Sequence, residues 1–466
     1  MAFTFLSDLE NHPKHDMKRS LLTIAAILPL IILCSCKSDT SSVQAGNTSS
    51  FQLLQQKVFT PSCVGCHTQG TDYAVQSGLI LDQDQSYNSL INIMSYYPKA
   101  KADDILLVKP GNADSSLLYM KVHGIPQNHD YGLLMPLGNE ALSIGQQEFI
   151  KEWINAGAPK TGVVADASLL DDTTHYPAPT FTDLAPPAVG TGYQVTSGSF
   201  NVSSNFEREL FVYRDLGNTL PIYVNRIHTK MRPFSHHLVL YTFDPQQTPK
   251  SMLPAFNVIR DLRNPDGSYN NSTEALMNYH TFLGGSMIQE DEYNFPPGVA
   301  LKLPAHAGID FNTHFVNYTP NTIPGECYAN IYTTDASKVQ YEAQPLFIPN
   351  TDITLPAQQQ TTLMQTTTNP FTNKMNVFML TSHYHAKGQK FQILINGGSR
   401  NGEVVYESTD WAHPTEKVYD PPIVLNPGEG LTTRVTYYNN SSNTIYFGLK
   451  STDEMDVMYG YFYNSN

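Results

Sequence analysis

The sequence predicts a multidomain protein in which a small all-α domain is followed by two all-β domains of the jelly-roll-like sandwich type. Its 466 residues exceed what one hydrophobic core usually holds, so two or three domains are expected. From residue 193 onward, short runs rich in Val, Ile, Thr, Tyr and Phe alternate with Gly, Pro and Asn turns, a pattern typical of antiparallel sandwiches. Before that, residues 143–156 are expected to form a helix with Trp153 and Ile154 on its apolar face.

The charge balance argues against a nucleic-acid partner. The chain has 28 Lys and Arg against 42 Asp and Glu, a formal net charge of −14. A nucleic-acid surface needs clustered basic side chains, which this composition does not provide.

The first element is an N-terminal export signal over residues 1–36. Lys18 and Arg19 precede an apolar run that ends at Cys36. The run is too short and wrongly flanked for a spanning helix, so it predicts an export signal whose start is Met17. An uncleaved membrane anchor is the alternative, and both place the protein outside the cytoplasm.

Residues 33–36, Leu-Cys-Ser-Cys, resemble the bacterial lipobox. The resemblance implies cleavage before Cys36, attachment of lipid to its thiol, and a protein held on the bacterial cell envelope, facing the periplasm or the outer surface. Residues 37–50 then form a polar tether.

The second element carries a haem motif. Cys63, Cys66 and His67 form C-x-x-C-H, in which two thiols attach a c-type haem and the His ligates its iron. A redox disulfide and half of a zinc site are the alternatives, but the following His and the lack of a second cysteine pair favour haem c.

Residues 131–159 resemble the C-terminal half of small class I cytochromes c, where a Met-Pro loop supplies the sixth iron ligand. We therefore predict Met135 as that ligand and a cytochrome domain over residues 51–160. The other candidates, which we expect not to bind iron, are Met94, Met120, His123 and His129. A Pro-rich linker, residues 161–192, follows.

The β-rich remainder carries scattered histidines. His383 and His385 are two apart on a predicted strand, so both imidazoles point to the same face. The adjacent His236 and His237 would point to opposite faces and share an ion only at a strand end or a bulge. Imidazole suits several metals, whereas an added thioether favours copper. Taken singly, each histidine is more often solvated than ligating.

The whole set resembles the copper type II, ascorbate-dependent monooxygenases. The resemblance is carried by "SHHLVLY", "FPPGVALKLPAHAGIDFNTHFVN", "SHYHAKGQKF" and "STDEMDVMYGY". It implies two sandwich domains, residues 193–348 and 349–466, each holding one copper across a solvent-filled gap. An electron-relay copper would be held by His236, His237 and His314; the copper that meets O₂ and substrate would be held by His383, His385 and Met455.

The chain also departs from the family. An Arg that pairs with a substrate carboxylate in the peptidylglycine branch is replaced by Thr381, whereas Tyr459 matches a substrate-contacting Tyr. The position after the ligand Met, usually Cys, is Asp456, and Cys327 has no predicted disulfide partner. We therefore do not expect a peptidylglycine substrate. No role is predicted for His228, His280, His306 and His413 beyond the surface or the surroundings of a site.

Together these patterns predict an envelope-anchored monooxygenase that hydroxylates a C–H bond of a small molecule or peptide with O₂. Electrons would come through the haem domain from an envelope donor, with ascorbate or another reductant as a supplement. A non-catalytic copper and haem redox relay, or a copper-binding protein, is the main alternative. The sequence disfavours a zinc hydrolase, because we expect no carboxylate base beside either cluster.

Overall fold

The computed structural model describes residues 48–124, 131–132, 134–137, 140–177, 181–243, 248–266, 268–317, 319–412, 414–449 and 452–465. The predicted export signal, Cys36 and most of the tether lie outside the described residues, as do His129 and His413.

The N-terminal part of the described chain is helical. Its helices are α1 (Ser50–Leu54), which continues through a π-helical turn (Gln55–Phe59) into α2 (Thr60–Ser62), α3 (Asp72–Ser77), α4 (Ser86–Leu90), α5 (Pro98–Ala102), α6 (Leu117–His123) and α7 (Ile144–Asn155), with a 3₁₀ turn at Ala113–Ser115. The helix predicted over 143–156 is observed as α7, and Ser143 caps it by accepting a hydrogen bond from the Gln146 N–H. Its apolar face buries Phe149, Trp153 and Ile154 against α1, which gives this region its own core.

The first β region follows an extended segment that contains a 3₁₀ turn at Ala167–Asp171. Its elements are β1 (Gly192–Thr196), β2 (Phe200–Val202), β3 (Phe206–Asp215), β4 (Ile222–Met231), β5 (Ser235–Phe243), β6 (Ile259–Asp261), α8 (Asn271–Met277), β7 (His280–Ser286), β8 (Glu290–Asn294), β9 (Val299–Leu303), β10 (Gly308–Asn317), β11 (Ile323–Gly325), β12 (Cys327–Thr334) and β13 (Tyr341–Glu342). Two sheets, β1-β12-β4-β9-β13 and β6-β3-β10-β5-β7, enclose a common apolar core.

The second β region is made of β14 (Gln344–Pro349), β15 (Thr354–Leu355), β16 (Gln359–Thr368), β17 (Lys374–His383), β18 (Gly388–Asn396), β19 (Val404–Ser408), β20 (Lys417–Leu425), β21 (Gly430–Asn439), β22 (Ile445–Tyr446) and β23 (Val457–Ser465). Its main sheets have the orders β14-β23-β17-β20 and β16-β21-β18-β19. The predicted all-β character of the chain after residue 193 is confirmed.

The predicted boundary between the β regions needs a correction. We placed β14 in the first region, which was to end at residue 348, but β14 pairs antiparallel with β23 along its whole length. Its hydrogen bonds make it an edge strand of the second region, so that region begins near residue 343.

The two β regions pack directly on each other. Tyr461 of β23 is fully buried, and its hydroxyl donates a hydrogen bond to the Leu283 carbonyl of β7. Its ring lies 4.9 Å from that of Phe295 and 5.8 Å from that of Phe378, measured between centroids. This shared apolar contact fixes the ends of β5, β10 and β17 near one another. Among the described helices, none is long and apolar enough to cross a membrane.

Candidate metal sites around one cavity

The first candidate site is the three-histidine cluster, His236, His237 and His314. Strands β3, β10 and β5 lie side by side, and their register places His314 opposite His237 on one side and opposite Glu209 on the other. The β5–β10 register shifts next to His314. This bulge lets His236 turn toward the same side as His237. A bulge or a strand end is the condition under which two adjacent histidines can share one ion. One ligand nitrogen from each of the three lies within 4.8 Å of the others.

Polar neighbours fix the orientation of these rings. His237 Nε2 lies 3.1 Å from Asn312 Oδ1, and His314 Nε2 lies 2.9 Å from Glu207 Oε1. Both contacts occupy Nε2 and leave Nδ1 available to a metal. The Nδ1 atoms of His236 and His237 lie 3.3 Å apart.

Glu209 adds a buried negative charge beside this cluster. Its Oε1 lies 3.6 Å from His237 Nε2, and its Oε2 lies 3.4 Å from Arg263. Burial acts to raise the pKa of Glu209, but the nearby His314, His237 and Arg263 hold that pKa well below its usual range. We did not predict Glu209, because its place beside His314 follows from strand register and from no local motif. The expectation that no carboxylate accompanies either cluster is therefore wrong at the three-histidine cluster, which has both Glu207 and Glu209 beside it.

The second candidate site is the two-histidine and methionine cluster, His383, His385 and Met455. His383 ends β17, and its Nε2 lies 3.2 Å from that of His385. His385 Nδ1 is 2.9 Å from the Asp453 carbonyl oxygen, which leaves Nε2 for a metal. Met455 lies just before β23, and its carbonyl accepts a 2.6 Å hydrogen bond from the Tyr437 hydroxyl.

Glu454 connects the two pieces of chain that form this second cluster. Its carboxylate accepts the backbone N–H groups of His385 (3.0 Å), Lys387 (2.6 Å) and Met455 (3.4 Å). Burial raises the pKa of Glu454 to about 8, although these N–H groups act in the opposite direction. The side chain is fully buried, so its function is to hold the turn that carries Met455 against the loop after His383.

The histidines of both clusters are spaced to fit a metal ion. Two nitrogens that bind one ion at about 2.0–2.1 Å are separated by roughly 3 Å, which matches the observed 3.2 and 3.3 Å spacings. Burial, together with neighbouring imidazoles, lowers the pKa of His236 and His383 well below the usual value, and burial lowers that of His385 to about 4. These rings are therefore neutral near pH 7 and keep a lone pair for a metal. Imidazole plus thioether is a donor set that suits copper.

The two clusters share one cavity of about 110 Å³. The six predicted ligands line it, and the His237 and His383 ring centroids are only 6.0 Å apart. The gap expected between the two sites is therefore narrow in this structure, at least where His237 and His383 face each other. Thr381 and Tyr459, which face each other across β17 and β23, also line the cavity.

A second, larger cavity of about 1140 Å³ lies in and beside the helical region. Cys63, Cys66, His67 and Met135 all line it, so the structure brings together the four residues predicted to hold a haem. His67 Nδ1 lies 3.3 Å from the Leu79 carbonyl oxygen, which leaves Nε2 for iron. Pockets for small-molecule ligands usually have volumes of roughly 300–1,000 Å³, so this cavity is large enough for a porphyrin. Both thiols are free, as haem attachment requires.

The rejected ligand candidates have other positions. Met120 is buried in the helical core, and the exposed His123 contacts Gln147 Oε1 through Nδ1 at 3.0 Å. His228 pairs with Glu290 at 3.1 Å. His280 is buried and bonds Asp310 at 2.8 Å.

Comparison with known proteins identifies part of the chain. Residues 343–466 match the family model described as copper type II ascorbate-dependent monooxygenase, C-terminal domain. That span contains His383, His385 and Met455. No curated protein sequence matches the chain.

Solved structures give only distant similarity. The VP54 protein of PBCV-1 aligns at 8% identity over 61% of this chain and 96% of its own, with a TM-score of 0.19. The major capsid protein P2 of bacteriophage PM2 aligns at 10% identity over the same shares, also with a TM-score of 0.19. The PBSX exported protein XepA aligns at 8% identity over 66% and 96%, with a TM-score of 0.16.

Proposed function

We propose that this protein is a copper-dependent monooxygenase that hydroxylates a C–H bond of a small molecule or peptide, consuming O₂, two electrons and two protons and releasing water. The observation that carries the proposal is that six ligand-type side chains from two β regions line one cavity, with the histidines of each region at a spacing that suits one metal ion. The match of residues 343–466 to a copper monooxygenase domain supports it at the level of the family.

The two clusters have different surroundings. His236, His237 and His314 would hold an electron-relay copper, beside the buried charge of Glu209. His383, His385 and Met455 would hold the copper at which O₂ and substrate react, on the side of the cavity lined by Thr381 and Tyr459. When bound, the coppers and the haem supply one-electron transfer and O₂ activation. The residues around them orient the ligands and exclude bulk water.

The cavity wall disfavours a substrate anchored by a carboxylate. Thr381 Oγ1 donates to the Thr415 carbonyl at 3.2 Å, so this side chain offers no cation. Glu209 and Glu416 line the same cavity. A carboxylate entering this cavity would meet the buried negative charge of Glu209, whereas burial and the neighbouring Asp291 raise the pKa of Glu416 well above its usual range, so the repulsion comes from Glu209. We therefore propose a neutral or cationic substrate group in this cavity.

Electron supply and location complete the proposal. Haem c would be held by Cys63, Cys66, His67 and Met135. An envelope donor, ascorbate or another reductant would reduce it again after each electron transfer. Lipid on Cys36 would keep the chain on the envelope and near that donor.

The test is ¹⁸O₂ incorporation by the haem- and copper-loaded protein with a panel of amines, neutral aromatics and peptides. We expect one ¹⁸O atom in the hydroxylated product of at least one amine or neutral compound, with loss of product in Met455→Ala.

A second candidate function is a non-catalytic redox relay, which the small cavity favours because about 110 Å³ is below the volume of most small-molecule pockets. It predicts copper reduction by the haem domain with no ¹⁸O in any compound. That result would replace the monooxygenase proposal.

A further inference from the structure

Trp411 lies between the two cavities. Its side chain lines both the small cavity that holds the six metal-ligand candidates and the large cavity of Cys63, Cys66 and His67. The residue follows β19 and is only 6% exposed, so it is a buried side chain in the wall between the two cavities. Its ring centroid lies 5.5 Å from that of Tyr73, which belongs to α3 of the helical region.

The helical region docks onto the second β region at this point. Lys387 Nζ lies 2.6 Å from Asp72 Oδ1, with both side chains mostly shielded from solvent. Asn440 donates to the Gly70 carbonyl at 2.6 Å, and Asn440 Oδ1 accepts from Lys387 Nζ at 2.8 Å. On the helical side these contacts come from Gly70 and from Asp72, the first residue of α3, shortly after the haem motif.

The docking loop is also the loop of the second metal cluster. Ala386 and Gly388 line the large cavity, whereas His385 lines the small one. Glu454 accepts the backbone N–H groups of both His385 and Lys387, so the ion pair with Asp72 and the ligand His385 belong to one rigid turn.

The three-histidine cluster has no comparable connection to the large cavity. All β-region residues that line the large cavity fall between 386 and 412, within the second β region. None comes from β3, β5 or β10 in the part of the chain that the structure describes.

We propose that Trp411 and the backbone of residues 385–388 connect the haem cavity to the His383, His385 and Met455 cluster, so that electrons from the haem enter the copper sites there and reach the electron-relay copper of the three-histidine cluster from that cluster, across the 6.0 Å between the His383 and His237 rings. The inference rests on the proposed metal content. In each transfer one electron leaves ferrous haem, which becomes ferric, and reduces Cu(II) to Cu(I); no bond forms or breaks and no proton moves. Trp411 acts as a positioning residue that fills the gap with packed atoms, through which tunnelling decays more slowly than through a void.

The experiment follows haem absorbance after anaerobic mixing of protein that carries ferrous haem and no copper with Cu(II) sufficient to fill both clusters, in the full chain and without substrate. Trp411→Leu should slow haem oxidation at least tenfold, while Trp411→Phe, which keeps an aromatic ring, should stay within about threefold of the wild-type rate. The haem spectrum, the haem potential and the copper EPR signals should be unchanged in both. Equal rates in Trp411→Leu and wild type would overturn the proposal.

A second pair of variants identifies the entry site. His314→Ala, which weakens the three-histidine cluster, should leave the fast haem oxidation intact, whereas His385→Ala should abolish it. The reverse pattern would overturn the proposal while leaving the proposed function standing. Conversely, fast transfer with no ¹⁸O incorporation would remove the monooxygenase proposal and keep this one.

The ion pair between Lys387 and Asp72 provides a test that leaves Trp411 unchanged. Asp72→Lys should slow haem oxidation several-fold, and the charge exchange Asp72→Lys with Lys387→Asp should restore most of the rate. A slow double variant whose haem and copper spectra are native would count against the docking geometry.

Discussion

Glu454 and Glu209 show how single carboxylates build this site. Glu454 binds three backbone N–H groups and so holds His385 and Met455 in one turn. Glu209 lies beside His237 and His314 and balances their charge when a metal is bound. Neither carboxylate belongs to the predicted ligand sets, yet each fixes the position or the electrostatics of residues that do.

Replacing Glu454 with Ala should lower the copper affinity of the His383, His385 and Met455 cluster by ten- to a hundredfold, the usual cost of losing a group that orients ligands. The measurement is a competitive copper titration against a chelator. Glu407→Ala, which removes an exposed carboxylate from β19, is the matched control and should leave both affinities unchanged. An unaltered affinity in Glu454→Ala would contradict the assigned role.

Glu209→Gln should weaken Cu(II) binding at the three-histidine cluster alone, because it removes a buried negative charge 3.6 Å from His237. Since Cu(II) carries more positive charge than Cu(I), its binding should fall more, and the potential of that copper should rise. Separate EPR titration of the two sites measures this. An equal loss at both clusters would indicate a general packing defect.

At the scale of elements, strand register assembles each cluster. The pairing of β3, β10 and β5 aligns Glu209, His314 and His237 in one row. The pairing of β17 with β23 sets His383 opposite Val457, close in sequence to Met455. At the position where the family usually has a Cys, the buried Asp456 accepts hydrogen bonds from Asn350 (2.9 Å) and Thr433 (3.3 Å), which tie the same turn to β21.

Gly388, where β18 begins, is a further test of element geometry. A Cβ at this position would lie 2.1 Å from the Tyr384 ring, which is fully buried. We therefore expect Gly388→Ala to lower the free energy of unfolding by about 1–3 kcal/mol and to weaken copper binding through displacement of His385. Lys390→Ala, exposed on the same strand, should stay within about 0.5 kcal/mol of wild type. Denaturant titration measures both; equal stabilities would contradict the packing described.

The structure places the six candidate ligands around one cavity. The sequence suggested them, and α7, only together with resemblances to known families, whereas it predicted the β-rich fold from local residue patterns alone. It did not predict Glu209 or Trp411, since each acquires its place through strand register or packing between regions far apart in the chain. It placed β14 in the wrong region, because a strand's partner is not visible in its own residues. The gap between the copper sites came from resemblance, and its narrow width at His237 and His383 could not be read from the sequence.

At the scale of the whole molecule, Tyr461 joins the two β regions. Its ring packs among Phe282, Phe295 and Phe378, and its hydroxyl bonds Leu283. At the same junction the His237 and His383 rings of the two clusters lie 6.0 Å apart.

Tyr461→Ala should cost about 3–5 kcal/mol, as for other large aromatic truncations, and should split one thermal transition into two as the β regions uncouple. Tyr461→Phe keeps the ring and should cost about 1 kcal/mol for the lost hydrogen bond. Calorimetry distinguishes the two variants, and a single unshifted transition in Tyr461→Ala would contradict the role of this contact.

The account depends most on two copper sites built by six named residues. The most direct measurement is the copper content of the haem-loaded protein and of variants, by elemental analysis with EPR. We expect two coppers per chain in the wild type, one in His236→Ala with His314→Ala, and one with a different EPR spectrum in His383→Ala with Met455→Ala. A wild-type protein that binds a single copper, or variants that each keep both, would contradict it.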